Sequence, residues 1–229
     1  MLKLFQIASI AFFGGIFAAN AASFDTALSL CKEKMQKNPP QVSVVVNFGA
    51  LKYDFSKDEA AMKELFLKIN PNADVYGDVQ GLTDTSPTVS SNISVSRQVV
   101  LEKYVCSIPE KIEISVKYVN PTVYILKSLR EGSCRYRWAV RHEQAHLDIS
   151  HTALILLGNV IKNKLPEFVM ETGPYVSSIH DNVNVADKLN ALYQSYLTPV
   201  IDIFNKTLIQ QHGRLDSEEN YKKESQLCN

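Results

Sequence analysis

The sequence carries no excess of charge of either sign: 24 Lys and Arg stand against 24 Asp and Glu in 229 residues. That balance argues against the basic surface through which proteins hold nucleic acid, and against the acidic tail through which they hold basic partners. No C-x-x-C pair occurs among the four widely separated cysteines, so thiolate metal sites are not expected. Neither an internal repeat nor a linker divides the chain, and its length is ample for a real core, so a single domain is expected. The apolar run at the N-terminus is short for a membrane span and is interrupted by Gly14-Gly15.

What that run does have is the order of an export signal: Lys3, the apolar stretch, then Ala19-Asn20-Ala21, a small-residue pattern for cleavage before Ala22. A cleaved signal over residues 1–21 and a mature chain of residues 22–229 are therefore expected, periplasmic or extracellular and without a stable membrane anchor. Losing Lys3 takes the basic count from 24 to 23 and leaves the mature chain near neutral. In an oxidising compartment Cys31, Cys106, Cys134 and Cys228 are expected to form two disulfides. Three pairings are possible and the spacing does not choose among them.

One stretch bears chemistry. Trp138-Ala-Val-Arg-His142-Glu143-Gln-Ala-His146-Leu-Asp-Ile contains H-E-x-x-H inside an amphipathic helical pattern. Residues four apart on a helix lie one above the other, so His142 and His146 present their imidazoles to one point, where a metal ion can sit. Glu143 is about 100° round the helix from His142, where its carboxylate can reach a metal-bound water without displacing it. The apolar series Ile149, Ala153, Leu156, Leu157 and Val160 places the motif on an inward face.

Around the motif the elements read as follows. Phe24 to Lys37 has helical periodicity, Val42 to Phe48 alternates as a strand, and Ser56 to Asn70 is a helix with Ser56 as N-cap and Glu59 three residues later. Asn70 to Ser91 is rich in Gly, Asp, Ser, Thr and Pro and reads as a long loop. Strands follow at 93–101, 112–118 and 122–126. The motif helix is expected over 134–164, closing at Leu165-Pro166, and a second loop over 167–181. A last long helix over 183–211 should be kinked at Pro199 and end at His212-Gly213, with Val185, Leu189, Leu192, Tyr196, Val200, Ile203 and Leu208 as its apolar side. The charged tail is tethered by Cys228.

Two imidazoles do not complete a catalytic zinc site, which usually has three protein ligands and a water. His151 and Asp148 lie on the motif helix but out of phase with the histidine pair. The longer pattern H-E-x-x-H-x-x-G-x-x-H is absent. If the last long helix runs back antiparallel, His212 and Asp202 come past the histidines; His212 is the better ligand chemically, and Asp202 is the alternative. As a polar helix end His212 would instead serve the helix dipole. His180 and Asp181 stay open from a loop.

The segment from Thr122 to Leu165 resembles the zincin metallopeptidases. His142-Glu-Gln-Ala-His146-Leu-Asp-Ile149 is similar to the motif of a group of secreted bacterial proteins described as predicted zinc-dependent proteases, as is the order of strand, loop, Cys134 and helix. The resemblance covers about a fifth of the chain. It implies an α+β fold of zincin type, a small twisted sheet packed against the long motif helix and followed by a second long helix. It also implies Zn2+ on His142 and His146, Glu143 as general base, and a peptide or protein substrate held in extended form near the strand at Thr122 to Leu126. The rival expectation is a secreted or envelope-associated binding protein that keeps the motif helix only as structure.

Overall fold

The computed structural model describes residues 11–69 and 79–228. Residues 1–10 of the expected export signal and 70–78 of the expected loop lie outside the described residues. The fold is α+β, with five helices and two small sheets among the described residues. No helix among these residues is long and apolar enough to cross a membrane. The chain divides into two compact units, each assembled from three segments, so no single linker separates them.

The first unit takes the chain up to Ser43, Ser91–Glu113 and Asn163–Gln194. Helix α1 (Ala11–Lys37) presents Ala27, Cys31 and Met35, spaced by four, as its buried stripe. Cys31 is bonded to Cys106, which joins α1 to the long strand β5 (Tyr104–Tyr118), and Val100 completes that cluster. Strand β7 (Tyr175–Ser178) pairs antiparallel with β5, Tyr104 facing Ser178.

β5 and β4 (Pro87–Val100) form a hairpin, and both are longer than the sequence predicts. The turn sets Leu101 and Glu102 at φ 50° and 55°. A type I′ hairpin turn needs positive φ at both central positions to match strand twist, and without Gly or Asn there the sequence offers no turn signal. The expected loop through Ser91 is also overturned: β3 (Gly81–Asp84) and the start of β4 occupy it. Half-exposed Thr, Ser and Asn at the start of β4 make no hydrophobic alternation, which hides the strand.

The second unit takes Val44–Ser90, Ile114–Lys162 and Ser195–Asn229. Here β6 (Thr122–Ile125) lies between β2 (Lys52–Asp54), which is parallel to it, and β3, which is antiparallel with Gly81 opposite Ile125. Alternation along β6 sends Val123 and Ile125 to one face, against Trp138, Ala139 and Leu147 of the motif helix α3 (Cys134–Thr172). Tyr124, with Leu126 just beyond, meets Leu82 and Met62 of α2 (Glu59–Ile69) on the other. The motif helix therefore packs on this sheet, as expected. The fourth strand of the other sheet, β1 (Gln41–Asn47), neighbours β5.

Several expected boundaries move. α2 is capped by Asp58, whose carboxylate accepts from the Ala61 N–H at 2.9 Å, and not by Ser56, whose N–H donates to Asp54. α3 runs through Pro166 because Leu165 and Val169 carry its buried face onward, and Gly173 at φ 73° closes it. That face is Leu147, Leu154, Leu157, Ile161 and Leu165, so Leu156 and Val160 point outward instead of inward. The last long helix, α4 (Val185–Leu215), buries Tyr193 and Leu197 while Leu192 and Ile203 are exposed, and it continues through His212-Gly213. The tail forms a short helix, α5 (Glu218–Ser225), whose N-cap Ser217 accepts from the Asn220 N–H.

Candidate metal centre

His142 and His146 lie where their four-residue spacing on α3 puts them, one turn apart and 4 % and 8 % exposed. Their Nε2 atoms are 3.2 Å apart. Asp216, at the corner between α4 and α5, brings Oδ1 to 3.0 Å from the first and 2.9 Å from the second. Tetrahedral zinc with Zn–N bonds of about 2.0–2.1 Å sets neighbouring ligand atoms about 3.3 Å apart, so this triangle is close to one face of such a site. The three residues form a group able to hold a metal ion. Asp216 is also the open side: its side chain is 42 % exposed, against 3 % and 10 % for the two imidazoles.

The ring orientations follow from what each Nδ1 meets. His142 Nδ1 lies 3.1 Å from Oε2 of Glu224, an acceptor only, so the ring proton belongs on Nδ1 and Nε2 keeps its lone pair. Trp138 Nε1 donates to the same oxygen at 2.9 Å and fixes Glu224 in place. His146 Nδ1 lies 2.7 Å from His212 Nδ1, and His212 Nε2 continues at 3.4 Å to the Ser150 hydroxyl. Burial, then the neighbouring His146, push the His212 pKa down to about 4, so His212 is neutral at neutral pH and can accept from His146 Nδ1–H. Both imidazoles then turn lone pairs toward a carboxylate oxygen, and three electron-rich atoms that close repel unless a cation or a proton lies between them.

The electrostatics agree. Burial raises the Asp216 carboxyl, but hydrogen bonds to His142 and His146 outweigh it and hold the group well below the usual carboxylate range. Burial likewise opposes charge on His142, yet Asp216, Glu143 and Glu224 around it raise its pKa overall.

Glu143 is 3 % exposed and outside the ligand triangle. The Thr83 hydroxyl donates to its Oε2 at 2.7 Å. Gly81 passes so close that a Cβ there would stand 2.4 Å from Glu143 Oε1, so the glycine makes room for the carboxylate. Burial raises the Glu143 pKa more than His146 and Thr83 lower it.

Of the expected site residues, His142, Glu143, His146 and His212 are brought together. His212 meets His146 on the ring nitrogen facing away from Asp216, so it stands behind a ligand. Asp202 is exposed on α4 and belongs to no such group among the described residues. His151 packs its ring against Phe48, centroids 4.4 Å apart. His180 and Asp181 lie in the first unit, in the turn after β7. Asp216 carries no local signal in the sequence: the end of α4 and the turn before the cap Ser217 bring it to histidines 70 and 74 residues away. β6, the strand near which an extended peptide is expected, is paired on both edges, and the outer strand beside Glu143 is β3.

Glu224 reaches His142 because Cys134 at the start of α3 is bonded to Cys228 beyond α5. Glu224→Gln is expected to weaken metal affinity by about 10- to 100-fold, the usual effect of losing the partner that orients a ligating imidazole. Competition against a chromogenic chelator measures it, and unchanged affinity would remove Glu224 from the site.

No family model, curated protein or solved structure matches this chain.

Proposed function

We propose that this chain is an exported zinc-dependent metallopeptidase of zincin type. The observation that carries the reading is the convergence of His142 Nε2, His146 Nε2 and Asp216 Oδ1 beside a buried carboxylate, Glu143, that is not one of the three. The donor set, two imidazoles and one carboxylate, suits zinc. When bound, zinc lowers the pKa of a water to about 7 and polarises a carbonyl oxygen.

The chain's own residues supply the rest. Glu143 is positioned to take the proton from such a water and return it to the leaving amine, and its raised pKa suits a group that must do both. Thr83 holds the carboxylate in its orientation, and Glu224 and His212 hold the two imidazoles in theirs. β3 is the outer strand at Glu143, so an extended peptide paired along it would carry its carbonyl to the base. Export accords with the two disulfides, which persist in oxidising compartments.

The rival reading, a binding protein with structural histidines, draws on the hydrogen bonds that Glu224 and His212 already give them. Chelation separates the two. A metal bound only by the folded chain stabilises it by about 2.7 kcal/mol at a hundredfold excess over Kd. For a chain of this size that is a fall in Tm of about 5–10 °C on chelation. A Tm that neither chelator nor added zinc moves would leave the histidines as structure.

A further inference from the structure

The geometry points to a carboxylate-binding pocket beside the metal centre, where Arg130 and Arg135 flank a cavity that Gln80 also lines. It rests on the proposed metallopeptidase reading only for the molecule that brings the carboxylate, a peptide substrate.

The cavity has a volume of about 310 Å3 and lies where the loop after β6 enters α3, with Ser128, Ser133 and Glu59 also in its wall. That is the low end of the size range of small-ligand sites, about 300–1,000 Å3, and suits a side chain or a chain end. Neither guanidinium has an ion pair or a side-chain hydrogen bond among the described residues, although Glu59 shares the wall. The contrast is Arg137, two residues beyond Arg135, whose guanidinium donates to the Gly132 carbonyl. Two guanidiniums less one carboxylate leave the wall one positive charge in excess, which matches a monoanion better than a phosphate dianion.

Gln80 also lines the cavity, and its Oε1 is buried without a hydrogen-bond partner among the described residues; as an acceptor it calls for an N–H and not for the carboxylate.

Position connects the pocket to the chemistry. Gln80 immediately precedes Gly81, whose backbone touches the Glu143 carboxylate. Its carbonyl accepts from the Leu126 N–H at 2.9 Å, which fixes the strand at the cavity's edge. With a rise of about 3.3 Å per residue, a peptide paired along β3 across Glu143 reaches the pocket within one or two residues of the reacting bond. The carboxylate is either an Asp or Glu side chain near that bond or the free end of the peptide.

The test uses the full mature chain labelled with nitrogen-15, reading the guanidinium N–H shifts of Arg130 and Arg135. N-acetylglutamate N-methylamide supplies a side-chain carboxylate alone, N-acetylalanine a terminal one alone, and N-acetylglutamine N-methylamide is the neutral control. A saturable shift is expected with one of the two acids and not with the control. Its Kd, measured for parent and variant alike by titration calorimetry, should rise at least tenfold in the Arg130→Gln/Arg135→Gln variant, which should still fold because both side chains are exposed. No saturable shift with either acid, equal binding of the control, or an unchanged Kd in the double variant would overturn the pocket. Cleavage mapping on a mixed peptide pool should place an acid, or the chain end, at a fixed distance from the cut, a preference lost in the double variant. A pool left uncut by a chain that still binds the acid would overturn the peptidase reading and leave the pocket standing.

Discussion

Glu143→Gln is expected to leave a folded, metal-holding chain that cleaves peptide about a hundred- to ten-thousand-fold more slowly, the range lost with a positioned general base. The substitution keeps the shape of the side chain, and its amide oxygen can still accept from Thr83. Gly81 leaves space for a group of that size and for little else. What is lost is the ability to take a proton. Because Glu143 lies outside the ligand triangle, metal per chain should match the parent. Peptide turnover measured beside metal content decides the matter: a variant as active as the parent would end the proposed mechanism, and one that lost its metal would make Glu143 a ligand.

Asp216→Ala should abolish stoichiometric metal binding, taking about one metal per chain to nearly none, because two imidazoles alone do not hold zinc firmly. His212→Ala should act differently. It removes the partner behind His146, so affinity should fall by about 10- to 100-fold while metal still binds at saturation. Asp202→Ala, on an exposed face, should change neither. Elemental analysis of the three variants after gel filtration ranks them. Full metal in Asp216→Ala with none in His212→Ala would restore the histidine as third ligand and require Asp216 to turn away.

The same tail explains why a bridge at the end of the chain matters to a site in its middle. Cys134–Cys228 holds α5 against the start of the motif helix, and α5 carries Glu224 to His142. The ring of Tyr221, also on α5, lies 5.0 Å from the His142 ring. Burial, reinforced by Asp216, Glu143 and Glu224, raises the Tyr221 pKa, so its phenol stays protonated. A segment that is charged and barely apolar thus completes the surroundings of the metal centre.

How much could be read beforehand differed with the range of the interaction. Helical spacing and strand alternation are set by backbone geometry within a few residues, so the histidine pair, the adjacent base and the alternating Ile112, Ile114, Val116 and Tyr118 of β5 were legible. Local signals misled where packing outweighed them. Pro166 and Gly213 ordinarily end helices, yet α3 and α4 run past them. β3, four residues long with Leu82 as its one large apolar side chain, and the start of β4, rich in Ser and Thr, leave no periodic trace although β3 forms the wall beside Glu143.

By itself the sequence determined the α+β elements, the presence of two bridges' worth of cysteines and the one point on α3 toward which His142 and His146 converge, all consequences of residue type and local spacing. Tertiary structure alone decided that Cys31 pairs with Cys106 and Cys134 with Cys228, that Asp216 comes to the imidazoles while His212 stands behind one of them, and that β3 rather than β6 borders the base. The physical reason is sequence separation. Contacts across 70 and 74 residues, such as those of Asp216 with the two histidines, depend on where the whole chain carries each segment, and no local pattern encodes that.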